Sequence, residues 1–347
     1  MSETKRPWKW LRIGLEILVW AYLAFLFSWA LQRALFGDRW WWLFLLNSFS
    51  LYLFLPLPLA GGIAFYLRRR GVWAGLAVGL GVYVALYGEL FLPRLIVPVR
   101  NDPALTVMTY NIHGINHDSQ AVAEVIRTTD ADVIAFQELN HTIAETLTSD
   151  FHSVYPYQIL DADDKWSGAG MISRYPLREV EKKLGSRWHE APQALSLDFD
   201  GQEVTLVHFH TAATTDYRNV AHIRQTVQAR EEQTQAIVDF VETRPGPLVA
   251  TTDFNATNQG TAYQMMTEVL SDSWRKAGRG FGHTYPGWVP YVGSSFPRWL
   301  LRIDYVFHSD HWQAESAEVG PWDGVSDHRP VVVTLRLRDA SSQKVQQ

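Results

Sequence analysis

Six short clusters in the second half of this chain place metal-binding and acid/base side chains at recurring positions. In order they are Tyr110-Asn111-Ile112-His113-Gly114, Phe136-Gln137-Glu138, His208-Phe209-His210-Thr211, Asp253-Phe254-Asn255, Arg302-Ile303-Asp304-Tyr305 and Ser326-Asp327-His328-Arg329-Pro330. Together they supply carboxylates, amides and imidazoles, with no cysteine anywhere in 347 residues and no serine elbow. Oxygen donors suit a hard divalent cation and an imidazole suits proton transfer, so the set points to a cation working with an activated water. The missing cysteine removes disulfides, thiolate catalysis and Cys-ligated zinc or iron–sulfur centres. Any one cluster reads equally as a turn or a helix cap, where Asn and Asp are common. Six in one chain order, each at the end of an apolar run, say more, because α/β domains build sites in the loops at strand ends.

Those runs are the elements that must position the clusters. After Pro103 the pattern becomes short apolar stretches separated by polar or helical ones, as in a layered α/β domain spanning 103–338. Strands are predicted at Leu105–Tyr110, Val133–Gln137, Gly170–Ser173, Val204–His208, Leu248–Thr251, Ile303–His308 and Val331–Leu335, and helices at Ser119–Thr129 and from about Asn219 to Glu242. No internal repeat is visible, and the polar tail 339–347 is expected to be disordered.

Residues 1–100 are of another kind. Apolar stretches at 13–31, 41–67 and 72–92 each approach or exceed the ~20 residues a helix needs to cross a bilayer, which predicts a three-helix transmembrane anchor. A cleaved signal peptide ending near Ser28-Trp29-Ala30 is the alternative for the first stretch, weakened by the two that follow. Pro56 and Pro58 would kink the second, and a re-entrant hairpin there would leave two crossings. Glu16 and Glu89 lie near the ends of their stretches, within reach of the interface. Lys5, Arg6, Lys9, Arg12, Arg68, Arg69 and Arg70 flank one face against Arg33, Arg39, Arg94 and Arg100 on the other, so three crossings place the C-terminal domain outside the cytoplasm.

Charge divides along the same line. Residues 1–100 hold eleven Lys/Arg and four Asp/Glu, a net +7, which leaves −12 for the remainder of a chain whose total is −5. A protein gripping a long nucleic acid usually carries a basic face, so this balance disfavours a nucleic-acid partner without removing a local basic groove.

The ordered clusters resemble the endonuclease/exonuclease/phosphatase family, the DNase I-like superfamily that includes nucleases, neutral sphingomyelinases and inositol phosphatases, over about 235 residues. The resemblance implies a four-layered α/β sandwich of two mixed sheets with helices outside. It implies that Glu138 is the principal metal ligand, with Asn111 helping to hold the metal or an attached water, and that Mg²⁺ is the natural ion with Mn²⁺ as substitute. By the same resemblance His328 is the general base, and Asp304 fixes its tautomer. Asn255 bonds a non-bridging phosphate oxygen, Asp253 orients water or assists the leaving group, and His210 adds a hydrogen bond to the developing charge. Asp327 completes a second or alternative metal position. The strand and turn Gly170-Met171-Ile172-Ser173-Arg174-Tyr175-Pro176 also look like the family's and read as scaffold. Thr252 stands where the family usually has Gly, which puts the local backbone geometry in question. His113 and His208 are extra imidazoles, read as packed neighbours ahead of phosphate or metal contacts.

One fold here serves several substrate classes. The anchor, the acidic domain and its outward orientation favour a phosphate or diphosphate carried by a membrane lipid. Aromatic residues Phe281, Tyr285, Trp288, Tyr291, Phe296 and Trp299 either favour a membrane interface or cover a sandwich edge. The layout also resembles bacterial membrane hydrolases of the VanJ type linked to glycopeptide resistance, which adds polyprenyl diphosphate to phospholipid and sphingolipid as candidates. An anchored extracytoplasmic nuclease and a non-catalytic binding protein are the competing readings.

Overall fold

The computed structural model describes residues 6–92, 103–180, 184, 187–287 and 297–338. It divides into two units, Met1–Leu92 and Pro93–Gln347. The tail 339–347 and the aromatic residues Trp288, Tyr291 and Phe296 lie outside the described residues.

The first unit is all helix: α1 (Arg6–Phe36), α2 (Trp41–Ser48), α3 (Leu57–Leu67) and α4 (Arg70–Tyr87), with 3₁₀ turns at Ser50–Phe54 and Gly88–Phe91. Three stretches are long and apolar enough to cross a membrane: Trp8–Phe36, Ser50–Leu67 and Arg70–Phe91. The second apolar stretch, 41–67, is interrupted, as its prolines imply, into α2, a 3₁₀ turn and α3. Pro56 and Pro58 lack the N–H groups needed to extend a helix, and they fall at the start of α3, where no donor is required. Val19, Leu23, Ala60, Ala64, Val72 and Leu76 form the inner seam, while Leu55, Leu59 and Phe65 point outward. Gly75 lets α4 approach α1, since a Cβ there would lie 2.7 Å from Leu23 Cδ1. Buried Asn47 joins the first two helices, accepting from Trp29 Nε1 at 3.0 Å and donating to Asp38 Oδ1 at 2.7 Å. Glu16 meets Arg69 at 3.5 Å.

The second unit is a sandwich of two six-stranded mixed sheets. One contains β1 (Ala104–Asn111), β2 (Val133–Gln137), β3 (Tyr157–Asp161), β4 (Ala169–Ser173), β11 (Trp312–Val319) and β12 (Val331–Leu337), in the order β11-β12-β1-β2-β4-β3. The other contains β5 (Leu177–Glu179), β6 (Gln193–Phe199), β7 (Gln202–His210), β8 (Leu248–Asp253), β9 (Ser271–Asp272) and β10 (Asp304–His308), in the order β5-β6-β7-β8-β10-β9. Each sheet has one parallel pair at its centre, β1/β2 and β7/β8. Parallel strands need a long crossover, supplied here by α5 (Ser119–Thr129) and α7 (Val220–Glu242). The shorter helices α6 (His141–Asp150), α8 (Thr261–Val269) and α9 (Ser273–Ala277) were not anticipated from the sequence.

Strand alternation decides what faces what. Met108, Tyr110, Ile134 and Phe136 pack into a core with helical Val122 and Ile143, and Val207, Phe209, Ala250, Tyr305 and Phe307 into a second core with Ile237 and Met266. The opposite parity, Thr109, Asn111, Gln137, His208, Thr251, Asp253 and Asp304, therefore lies between the sheets. There Gln137 Nε2 donates to Thr109 Oγ1 at 2.8 Å, and His208 Nδ1 meets Thr251 Oγ1 at 3.0 Å.

A buried ion pair braces the end of β9. Arg302 donates to both Asp272 oxygens at 3.1 and 2.7 Å, stacks over Tyr305 at 4.5 Å, and shares Asp272 with the Tyr263 hydroxyl at 2.7 Å. Burial opposes the Asp272 charge, but Arg302 outweighs it and holds the carboxyl below its usual range. Arg302→Ala leaves that charge buried and is expected to cost about 3–5 kcal/mol in an unfolding titration of the detergent-solubilised chain. Because the folded value is depressed, the pair's contribution is present above the usual carboxylate pKa of ~3.9 and is lost as pH falls through the folded value. The variant should lack that acid-side decline.

Candidate active site

The inter-sheet residues at one end of the sandwich build the site. Register pairs Asn111 with Gln137, His210 with Asp253 and Asp253 with Asp304, so the last residues of β1, β2, β7 and β8 and the first of β10 sit at one level. The sheets face each other, and the Asn111 amide reaches across to donate to Asp253 Oδ2 at 2.9 Å and to Glu138 Oε1 at 3.1 Å.

Glu138 follows β2 with φ +55°, in the left-handed region that non-glycine residues adopt at a cost of order 1–3 kcal/mol. Two bonds hold it: its Oε2 accepts the Gly114 N–H at 2.8 Å, and its own N–H donates to Glu190 Oε2 at 3.1 Å. Gly114 is fixed in turn by Asn140, which caps α6 through Ile143 N and donates to the Gly114 and Asn116 carbonyls. His113 and Asn255 also have positive φ, so three residues of the site are held in strained backbone.

His328 lies on the loop before β12, where Ser326 Oγ accepts the His328 N–H at 3.0 Å and donates to the Asn111 carbonyl at 2.8 Å. Its Nδ1 meets Asp304 Oδ2 at 2.9 Å and Oδ1 at 3.1 Å. That leaves Nε2 facing Asp253 Oδ2 at 3.5 Å and Asp327 Oδ1 at 4.0 Å. His210 presents Nε2 to Asp253 Oδ2 at 3.4 Å and to Asn255 Nδ2 at 3.0 Å, while its Nδ1 meets Glu190 Oε2 at 3.2 Å. All eight singled-out residues, Asn111, Glu138, His210, Asp253, Asn255, Asp304, Asp327 and His328, thus gather at this end.

Of the extra imidazoles, His208 is packed: it meets the Phe136 carbonyl at 2.9 Å and burial depresses it to about 4. His113 packs against Trp166, with ring centroids 5.1 Å apart and the planes tilted by 50°, and lies 3.9 Å from Asp327. Thr252 in place of Gly leaves β8 unbroken, paired with Phe209 and Tyr305 on either side. Glu190 is the residue the sequence did not reveal, since His-Glu-Ala before β6 carries no turn or strand-end signal. It is fully buried and touches both His210 and the Glu138 backbone. Glu190→Gln is expected to lower kcat about 10–100-fold through a misplaced His210 and Glu138, the range typical of an orienting partner, with KM little changed in steady-state assays.

The electrostatics ask for a cation. Five carboxylates, Glu138, Glu190, Asp253, Asp304 and Asp327, converge, and among the described residues no lysine or arginine pairs with any of them. Burial raises Glu190, Asp304 and Asp327 above the usual carboxylate range. Burial opposes charge on His210 too, but Asp253, Glu190 and Glu138 outweigh it and raise it to about 10; Asp304 and Asp253 likewise hold His328 well above the usual histidine range. The five carboxylates outnumber the three imidazoles beside them, and the oxygen-rich donor set fits one hard divalent ion. Ligand atoms of Asp253, Asp304 and His328 lie within 4.8 Å of one another. Both Asp304 oxygens are engaged by His328, and Asp253 accepts the Asn255 N–H on Oδ1 and the Asn111 amide on Oδ2, so the acceptor capacity left for an ion lies mainly with half-buried Glu138 and with Asn111 Oδ1, which takes the His113 N–H.

A sequence model of the Endonuclease/Exonuclease/phosphatase family matches residues 108–328. The chain belongs to this family. Its members include metal-dependent phosphoesterases and nucleases, and the two mixed sheets with flanking helices are its DNase I-like fold. Among solved structures, an endonuclease/exonuclease/phosphatase from Beutenbergia cavernae is 23% identical, with 67% of this chain and 72% of that one covered and a TM-score of 0.51. Truncated Caenorhabditis elegans TDP2 is 17% identical over 67% and 98%, with a TM-score of 0.52. D. rerio TDP2, complexed with single strand DNA product, is 16% identical over 68% and 100%, with a TM-score of 0.53. At these identities the likeness is one of fold. No curated protein matches the sequence.

Proposed function

We propose that the chain is a membrane-anchored, divalent-metal-dependent phosphoesterase that hydrolyses a phosphate ester or diphosphate of a membrane lipid by in-line attack of water. The observation that carries the reaction class is the paired geometry of His328: Nδ1 held by Asp304, Nε2 turned to Asp253, whose Oδ2 also accepts the Asn111 amide that bonds Glu138. Glu138 and Asn111, with Asp327 nearby, would hold Mg²⁺ or Mn²⁺, which supplies charge neutralisation and polarises the phosphate. His328 takes the proton of the attacking water, and Asp304 keeps its ring in register. Asn255 and His210 donate to the phosphate oxygens where charge develops, and Asp253 orients water or assists the leaving group.

The lipid assignment is supported by three stretches apolar enough to span a bilayer and by the −12 charge of residues 101–347, which works against gripping a long polyanion. The positive flanks of the first 100 residues favour a cell-membrane protein with its catalytic domain outside the cytoplasm. An anchored nuclease is the second reading, favoured by the DNA product bound to the D. rerio relative in fold. The deciding assay measures phosphate or headgroup release by the solubilised full chain from polyprenyl diphosphate, sphingomyelin, phosphatidylinositol phosphates and single-stranded DNA, with Mg²⁺ or EDTA. EDTA-sensitive lipid turnover supports the proposal; cleavage of DNA alone overturns it.

A further inference from the structure

Six large apolar side chains are exposed among the described residues of the second unit: Ile115, Val154, Tyr157, Trp166, Tyr217 and Val325. A soluble surface scatters such residues, so their distribution is informative. Four of the six sit around the mouth of the site. Ile115 is 56% exposed and follows Gly114, the residue that holds Glu138. Trp166 packs at a tilt against His113, and its own φ of +70° holds it in an unfavourable backbone region. Val325 precedes Ser326-Asp327-His328, and its turn is tied to the Ile115 loop by Asn116 Nδ2 donating to Asp323 Oδ2 at 2.7 Å. Tyr217, 49% exposed, lies on the loop that runs from His210 at the end of β7 to α7. Tyr157 marks the opposite end of the sandwich: it pairs with Ser173, which pairs with Val133 at the start of β2, four residues from Gln137.

The same rim carries cations on aromatic rings. Exposed Arg298 stacks over Trp322 at 4.6 Å and Arg329 over Trp299 at 4.4 Å, and the two tryptophans meet at 5.5 Å. Trp322 is fixed to the site loop by donating from Nε1 to the Ser326 carbonyl at 2.6 Å. Apolar tips beside Arg-capped tryptophans suit the headgroup layer of a bilayer, where an apolar body, a polar edge and a cation are satisfied together.

We propose that this rim is a bilayer-docking face, with Ile115, Trp166, Tyr217 and Val325 inserted among lipid headgroups so that the site opens directly onto them. The inference rests on the lipid-phosphoesterase reading and says how that substrate is presented: the phosphate enters the cleft while its lipid stays in the membrane. Ten residues, 93–102, connect Leu92, the last described residue of the first unit, to the sandwich, a chain reaching about 35 Å at full stretch, so a bilayer that holds the first unit is within reach of the second.

The chain has no cysteine, so one introduced thiol can be labelled uniquely. Ile115→Cys, Val325→Cys and, as far-end control, Val154→Cys, in the turn three residues before Tyr157, are made in the full chain. Each carries an environment-sensitive fluorophore and is reconstituted in phosphatidylethanolamine/phosphatidylglycerol vesicles containing lipid with a headgroup or shallow-chain nitroxide. The expected result is several-fold stronger quenching at 115 and 325 than at 154. Equal quenching at the three positions overturns the docking face. Strong quenching in a chain that hydrolyses no lipid phosphate would keep the docking face and discard the substrate reading, whereas lipid turnover without quenching would do the reverse.

Discussion

His328→Ala should lower metal-dependent phosphoester turnover about 10²–10⁴-fold, the contribution expected of a positioned general base. The ring has one available proton acceptor, Nε2, because Nδ1 is held between both oxygens of Asp304 at 2.9 and 3.1 Å. Truncation removes that acceptor and leaves Asp253, Asn111 and Glu138 in place, so metal binding should survive. The base form is the deprotonated one, so the wild-type rate should rise with pH through the titration of His328. That limb should vanish in His328→Ala. In Asp304→Asn it should move to lower pH, because the neighbouring charge that raises the imidazole is gone. The measurements are kcat/KM against pH at saturating Mg²⁺ and metal affinity by calorimetry. A His328→Ala rate within a few-fold of wild type would remove His328 from the base role.

Glu138→Gln should raise the Mg²⁺ concentration needed for half-maximal activity by at least the ~10–100-fold that losing an outer-shell partner costs. The substitution keeps the volume and one acceptor for the Gly114 N–H, so the strained backbone at φ +55° retains a tether. What it removes is one carboxylate oxygen donor from the group that would hold the ion. Metal titrations of activity, with calorimetry alongside, read this directly. An unchanged metal dependence would shift the metal site to the neighbouring group of Asp253, Asp304 and His328, whose ligand atoms also converge.

Much of this protein is written in short-range pattern. The strands ending in Asn111, Gln137, His210 and Asp253 are legible because apolar runs of four to six residues alternate with helical and polar stretches, and a period of two places each chemically active residue on the same face as its strand's inner positions. The helices Ser119–Thr129 and Val220–Glu242 are legible from their spacing, and Asn219 caps the second by accepting from Ala221 and His222 N–H. Family resemblance then singled out the eight residues that the fold brings together.

Tertiary structure decided the rest, because convergence depends on partners distant in sequence. β3, β5 and β9 are short edge strands whose ladders exist only when a neighbour offers its free edge, so local pattern gives them no signal. Pro56 and Pro58 announce a kink in the stretch 41–67, but its division into α2, a turn and α3 appears only in the structure. Glu190 becomes part of the site only because the start of β6 is packed beside β7, where burial beside His210 gives an otherwise ordinary glutamate an orienting position. The apolar rim follows the same logic: Ile115, Trp166, Tyr217 and Val325 are unremarkable one at a time, and only the folding of four separate loops around one cleft makes them a surface. Sequence by itself determined which residues lie on the inner face of each strand, a property of one strand's geometry; which of those faces meet is a property of two sheets packing, and it appears only when they do.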